Sequence, residues 1–144
     1  MRTAGMFVAA AVVTLIGCGG DNLAGESRTA APLPATVNCE DAERLRDRAT
    51  QDRRSSRERS SDQEKIDLAS RARFIATLAT IADLRCKVSP ADANEILRRA
   101  LDAARAAEDT RSFYARTLKW QEAGLIADEA VGLMIKRLPS PTAK

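Results

Sequence analysis

Residues 67–88, DLASRARFIATLATIADLRCKV, decide the fold of this chain. Small and apolar residues recur there at alternating intervals of four and three, which is the spacing of one stripe on an α-helix: Leu68, Ala72, Ile75, Ala79, Ala82 and Cys86. A second set widens that stripe: Phe74, Leu78, Ile81 and Val88. We therefore expect one long helix here to form the core of the domain.

The composition favours helices along the rest of the chain. It is 44% hydrophobic, mostly aliphatic, with 3% aromatic and 30% charged residues and only seven glycines in 144 residues. The formal net charge of +3 is nearly balanced, so no global charge attracts nucleic acid. We predict an all-α fold, a small up-down bundle of about four helices, with a flexible N-terminal tether.

Three more helices are predicted around the central one. The first starts at Asn38 and has an apolar edge that ends at Ala49; residues 51–63 contain no apolar residue and fit either a solvated continuation of the helix or a loop. Ser61 and Glu64 fit a capping box for the central helix. The sequence Ser89-Pro90-Ala91-Asp92 is typical of a helix start.

The third helix has one broad apolar face: Ile96, Leu97, Ala100, Leu101, Ala104 and Ala107. A fourth is predicted to restart at Asp109 or Thr110, with its own stripe: Phe113, Thr117, Trp120, Gly124, Ala127, Val131, Met134 and Leu138. Because Gly124 and Ala127 are small, a neighbouring helix could approach closely there. Pro139 and Pro141 end the structured part, which gives a bundle over residues 38–138 and a disordered tail over 139–144.

The first eighteen residues form the pattern of an export signal. Arg2 is followed by an uncharged, mostly apolar stretch through Ile16 and then by small Gly17. The alternative is an uncleaved transmembrane anchor, although a run diluted by threonine and glycine would make a short and weak one.

Leu15-Ile16-Gly17-Cys18 resembles the lipobox of bacterial lipoproteins. The resemblance implies that residues 1–17 are cleaved and that Cys18 becomes the lipidated first residue, bearing a diacylglyceryl group and an amide-linked acyl chain such as palmitate. Residues 18–37 would be a flexible tether to the membrane. Gly19 after the cysteine is compatible with transfer to the outer membrane of the cell envelope, facing the periplasm.

If Cys18 is acylated, Cys39 and Cys86 remain as an even pair in an oxidising compartment, and we predict that they form a disulfide. Their midpoint in the sequence falls near the predicted turn at Ser60–Ser61, so an antiparallel hairpin brings both to one end. The alternative is two unpaired buried thiols. A zinc site is disfavoured, because the chain has no histidine and no second closely spaced thiol pair.

An arginine-rich segment is the one polar feature above background. Residues 44–59 contain seven arginines and three acidic residues. Arginine suits forked binding of phosphate or carboxylate, so six positions form a predicted anion-binding set: Arg44, Arg48, Arg53, Arg54, Arg57 and Arg59. The alternative is a solvated, highly charged hairpin tip. No aromatic residue is interleaved, so base stacking on nucleic acid is not indicated.

No catalytic pattern is found. The chain has no histidine, no glycine-rich phosphate loop and no serine in a nucleophile-elbow context, so we expect neither an enzyme nor a cofactor, metal or small-molecule substrate. We expect a membrane-tethered, non-enzymatic binding or assembly module that contacts an envelope protein. The alternative is a binder of anionic envelope lipid or polymer through the arginine-rich tip.

Overall fold

Four helices make up the domain. The computed structural model describes residues 32–140, in which α1 spans Ala42–Glu58, α2 spans Asp62–Arg85, α3 spans Ala91–Glu108 and α4 spans Phe113–Lys136. A short 3-10 turn, Cys39–Asp41, precedes α1. There is no strand between residues 32 and 140, so the prediction of a small all-α bundle is confirmed. None of these four helices is long and apolar enough to cross a membrane.

The two longest helices, α2 and α4, form the centre of the bundle and run parallel. Asp67 and Arg116 are paired near their first turns, and Arg73 is paired with Asp128 farther along both helices. Helix α1 packs against α2, and α3 packs against α4. Because α2 has no close backbone contact with α3 within residues 32–140, the short connection from α2 to α3 runs diagonally across one end of the bundle.

The structure decides the conformation of residues 51–63, which the sequence left open. Helix α1 continues to Glu58 and buries Asp52 and Ser56 in the same register as Leu45 and Ala49. Helix α2 then begins after Ser61, at the predicted boundary, although the Ser61 side chain makes no capping hydrogen bond. The buried stripe of α1 that contains Leu45 and Ala49 is therefore continued by polar residues.

The predicted break between α3 and α4 is present, but the restart is displaced. Helix α3 ends at Glu108, and the N-cap of α4 is Ser112 rather than Asp109 or Thr110. The Ser112 side chain accepts a hydrogen bond from the Ala115 N–H at 3.4 Å. A hydroxyl at this position satisfies one of the four N–H groups that a helix start leaves unpaired.

Packing against the bundle begins before the predicted boundary at residue 38. Leu33 is 8% exposed and Val37 is fully buried, and both belong to the same core as the helices. Arg85 Nη1 donates to the Val37 carbonyl oxygen at 2.6 Å. The segment from Leu33 is thus part of the domain; the rest of the predicted tether, the signal segment with Cys18 and residues 141–144 lie outside the described residues.

Two further expectations about α2 and α4 are wrong. Cys86 lies at the end of the stripe but is exposed, because α2 ends at Arg85 and the chain turns away there. Gly124 is buried, yet a Cβ built at that position would have no neighbour within 4 Å. Close approach of another helix is therefore not what Gly124 provides.

Candidate interaction surfaces

The two cysteines of the domain are bonded to each other. Cys39 in the 3-10 turn and Cys86 at the end of α2 form a disulfide, and their Cα atoms are 5.0 Å apart, within the range of ordinary disulfides. The bond joins the start of α1 to the end of α2, as the antiparallel hairpin predicted. Arg85, the neighbour of Cys86, adds polar contacts to Val37 and to the Asn94 side chain. This end of the bundle is therefore cross-linked.

The predicted anion-binding arginines do not form one site. Arg44 and Arg53 are nine residues apart, about two and a half turns, and so lie on opposite sides of α1. Arg44 is paired with Asp41 at 2.8 Å, Arg48 is half-buried, and Arg59 lies 4.0 Å from Glu64. Half of the predicted set is thus already engaged within the domain or withdrawn from solvent.

The other three arginines form an exposed basic face on the last turns of α1. Arg53, Arg54 and Arg57 are exposed, and they make no ion pair with any residue in the range 32–140. Arg53 and Arg57 are four residues apart and share one side of the helix, with Arg54 beside them. We call these three residues the basic face; it is the part of the predicted set that is open to an external anion.

A buried ion pair links the two central helices. The Asp67 carboxylate on α2 is fully buried, and Arg116 on α4 donates to it through Nη2 at 2.8 Å and through Nε at 3.3 Å. A forked pair of this kind fixes both distance and orientation between its partners. It therefore sets the register of α2 against α4.

A second buried pair links α1 to α2. Arg71 Nε lies 3.2 Å from Asp52 Oδ2, and both side chains are about nine-tenths buried. The Arg71 guanidinium carbon is 6.0 Å from the centre of the Trp120 ring, a distance at which a cation is attracted to the aromatic face. Trp120 also packs against Phe74 at 5.8 Å between ring centres. Polar and aromatic side chains from three helices thus meet here.

Burial shifts the protonation equilibria of both carboxyl groups. Removal from water raises the pKa of Asp52 more than the charges of Arg71 and Arg48 lower it. Burial likewise raises the pKa of Asp67 in spite of Arg116. Loss of hydration lowers the pKa of the half-buried Arg48 guanidinium. Arg71 and Arg116 each lie against a buried carboxylate of another helix, which is typical of a structural network rather than of an anion site.

This cluster was not predicted from the sequence, although the sequence contains a signal for it. Asp67 and Arg71 continue the spacing of Phe74, Leu78 and Ile81 toward the start of α2, at intervals of four and three. Asp52 and Ser56 continue the spacing of Leu45 and Ala49 in the same way. Charged residues that maintain a core register across two helices indicate buried pairing, because either one alone would be costly.

An apolar groove lies between the first turns of α2 and α4. A cavity of about 210 Å³ opens there, lined by Gln63, Ile66, Tyr114, Thr117, Leu118 and Gln121. Three of these are large apolar side chains that are exposed to solvent: Ile66 is 53% exposed, Tyr114 is 67% exposed and Leu118 is 50% exposed. Leu125, at 67%, extends the same surface along α4. We call Ile66, Tyr114, Leu118 and Leu125, with this cavity, the apolar groove.

The groove, which was not predicted either, also has a signal in the sequence. Tyr114, Leu118, Gln121 and Leu125 follow intervals of four, three and four, a second stripe on α4 beside the one that faces the core. Helix α4 packs against both α2 and α3, yet Tyr114, Leu118 and Leu125 of this second stripe remain exposed.

Within the described range, no group of three His, Cys, Asp or Glu side chains is arranged to hold a metal ion. The chain matches no family model, no curated protein and no solved structure. The groove and the basic face are therefore the two surfaces from which a function can be argued.

Proposed function

We propose that this protein is a lipid-anchored, non-enzymatic binding module of the bacterial cell envelope, which holds a partner protein on the apolar groove. The observation that carries the proposal is the exposure of four of the six exposed large apolar residues of the described chain on one surface, beside a cavity: Ile66, Tyr114, Leu118 and Leu125. Large apolar side chains that are exposed together, beside a cavity and among polar neighbours, mark interaction sites.

The groove is suited to a protein partner because its surface is chiefly apolar. Leu118 and Leu125 lie on one side of α4 and Ile66 lies across the groove on α2. Burial of a large aliphatic side chain contributes about 1.5–3 kcal/mol of binding free energy. The groove residues can therefore offset the free-energy cost of association only if a partner covers most of them at once. A protein segment that spans the groove meets this condition.

The test is affinity purification of the tagged full-length protein from detergent-solubilised envelopes. We expect the wild type to retain one protein in a fixed ratio, and a variant with Leu118→Glu and Leu125→Glu to lose it. The matched control places two glutamates at Gln51 and Ala106, both exposed and on helices that do not line the cavity. Retention by both variants, or loss by both, would show that the groove is not the binding surface.

The anchor is tested separately. Because the Leu15–Cys18 segment resembles a lipobox, we expect mass spectrometry to find the mature chain beginning at Cys18 with three acyl chains attached. Cys18→Ser should leave an uncut and unacylated precursor. A mature chain without lipid on Cys18 would contradict the proposed address.

The basic face supports a second candidate function, binding of anionic envelope lipid or polymer. Arg53, Arg54 and Arg57 are exposed and form no ion pair with any described residue, whereas Arg44 and Arg46 are paired with carboxylates. Three neighbouring guanidinium groups can bind phosphate oxygens in forked geometry. The two candidate functions are compatible, because the basic face lies on α1 whereas the groove lies on α2 and α4.

A further inference from the structure

We infer that the segment bound in the apolar groove is an amphipathic helix of a partner protein, with one large apolar side chain in the cavity and lysine or arginine residues along its flank. The inference rests on the proposed function, since it names the chemistry of that partner. It comes from three features of the groove: its length and spacing, the size of its cavity and the charge of its rim.

The spacing of the groove matches that of a docked helix. Tyr114, Leu118 and Leu125 lie on one line of α4, and Tyr114 and Leu125 are separated by about 16 Å along the helix axis. That distance is about three helical turns. A helix laid along this line can place its own residues at intervals of four and three against it, which is the common mode of helix recognition in a groove.

The cavity sets the size of the anchoring side chain. Its volume is about 210 Å³, and its lining is apolar apart from Gln63, Thr117 and Gln121. A closed apolar cavity of about 150 Å³ accommodates benzene, so an aromatic or large aliphatic side chain fits here. An anchor of that kind, in a pocket near the centre of an interface, typically carries much of the binding free energy.

Three exposed carboxylates lie along the rim of the groove. Residues four apart on a helix are neighbours, which places Asp62 beside Ile66, Glu122 beside Leu118 and Glu129 beside Leu125. All three carboxylates are exposed and make no ion pair with any residue in the described range. Among the nearby cations, Lys65 and Lys119 are half-buried, and Arg73 is paired with Asp128 at 3.6 Å. Arg111 precedes α4, and Lys136 is its last residue, so neither borders the middle of the groove.

A second copy of this chain does not fit the same rim. A symmetric antiparallel pairing that places Leu118 against Leu125 has its two-fold axis between Gln121 and Glu122. The two Glu122 carboxylates would then meet at the axis, where like charges oppose association. A helix with a basic flank instead places a cation opposite each of these carboxylates. Charge complementarity therefore favours a different protein as the occupant.

The test uses two synthetic helical peptides of 18 residues, which share one leucine stripe and one tryptophan. One peptide has lysines on the flanks of the stripe and the other has glutamates. Binding is measured by fluorescence anisotropy with the full-length protein in nanodiscs of zwitterionic lipid, and empty nanodiscs serve as the blank. We expect the lysine peptide to bind at least about tenfold more tightly than the glutamate peptide at low salt.

Two variants make the test specific. Glu122→Lys with Glu129→Lys changes only exposed side chains and should reverse the preference, so that the glutamate peptide binds more tightly. Leu118→Glu should weaken binding of the lysine peptide by about tenfold or more. Equal affinity for both peptides, an unchanged preference in the Glu122→Lys, Glu129→Lys variant, or a homodimer that buries α4 would overturn the inference.

The outcome separates this inference from the proposed function. If an envelope protein is captured in a way that depends on Leu118 and Leu125, but the two peptides bind equally, the proposed function stands. Only the inference that the partner segment is a helix with a basic flank is then contradicted. Discrimination between the peptides without capture of any envelope protein supports the groove chemistry and contradicts the proposed function.

Discussion

Asp67 on α2 is fully buried, and its carboxylate accepts two hydrogen bonds from the Arg116 guanidinium on α4, at 2.8 and 3.3 Å. This pair joins the two central helices near their first turns, directly behind the apolar groove, whose lining includes Thr117. The spacing between α2 and α4, and so the width of the groove, depends on it.

Loss of Arg116 should therefore be costly. Arg116→Gln leaves Asp67 as a buried charge without its partner, and we expect the free energy of unfolding to fall by about 3–5 kcal/mol. The control is Arg46→Gln, which breaks the 2.6 Å pair with Asp83 between two half-exposed side chains and should cost less than about 1 kcal/mol. Urea denaturation measures both. Equal losses would mean that the buried pair does not determine the packing of α2 on α4.

The stability that Asp52 contributes should fall as the pH rises. Burial holds the pKa of Asp52 above its usual range, so the folded chain holds this proton more tightly than the unfolded chain does. Its contribution is full below the unfolded pKa, near 4, and is lost as the pH rises through the folded pKa. The destabilisation caused by Asp52→Asn should therefore be smaller at pH 7 than at pH 4. Urea denaturation at the two pH values decides this; a larger effect at pH 7 would show that Arg71 lowers the pKa more than burial raises it.

Reduction of the Cys39–Cys86 disulfide should loosen α1 selectively. The bond closes a loop with a sequence separation of 47, which corresponds to about 4 kcal/mol in the chain-entropy account. Helix α1 buries only Leu45 and small or polar residues, whereas the other helices bury continuous apolar stripes. Hydrogen exchange with and without reductant should show lost protection confined to residues 33–58. Loss spread evenly over all four helices, or no loss at all, would contradict this.

Replacing Gly124 should stabilise the protein. A methyl group at this position meets no atom beyond the adjacent backbone of its own helix within 4 Å, and glycine costs about 1 kcal/mol relative to alanine inside a helix. We expect Gly124→Ala to raise the free energy of unfolding by about 1 kcal/mol, measured by thermal or urea denaturation. The control is the reverse substitution, Ala127→Gly, at a buried position one turn farther along α4. It should lower the free energy of unfolding. Destabilisation by Gly124→Ala would mean that α4 needs the smaller residue.

The basic face should bind anionic vesicles with a strong dependence on salt. Replacing Arg53, Arg54 and Arg57 with glutamine should abolish this binding without changing helicity. The control is the same substitution at three arginines of α3, which removes equal charge: Arg98, Arg99 and Arg105. Of these, Arg98 and Arg105 are already paired with carboxylates on α3. Vesicle cosedimentation compares the variants, and equal binding to neutral and anionic vesicles would exclude a role in anion binding.

The sequence predicted the helices because each has an apolar register, and it predicted the disulfide because a hairpin aligns its two ends. It did not predict that Asp67 and Arg116 meet, since they are 49 residues apart and charged residues are usually exposed. It also missed Leu33, which belongs to no periodic run. Packing of a non-helical segment depends on the shape of the finished bundle, which local patterns do not specify.

The groove was missed for a different reason. Leu118 and Leu125 are apolar residues at helical spacing, but the stripe that contains Trp120 already accounts for the packing of α4. Only the structure shows that both leucines remain exposed after the four helices have packed.

The most direct test of the account is site-specific photo-crosslinking in intact cells that produce the full-length protein. A photoreactive residue at position 118, in the groove, should yield one discrete adduct with another envelope protein. The same residue at the exposed position 51 on α1 should yield none. The adduct should disappear in the Cys18→Ser variant, which lacks the proposed anchor. No adduct from position 118, or the same adducts from both positions, would contradict the claim that the groove binds a partner protein.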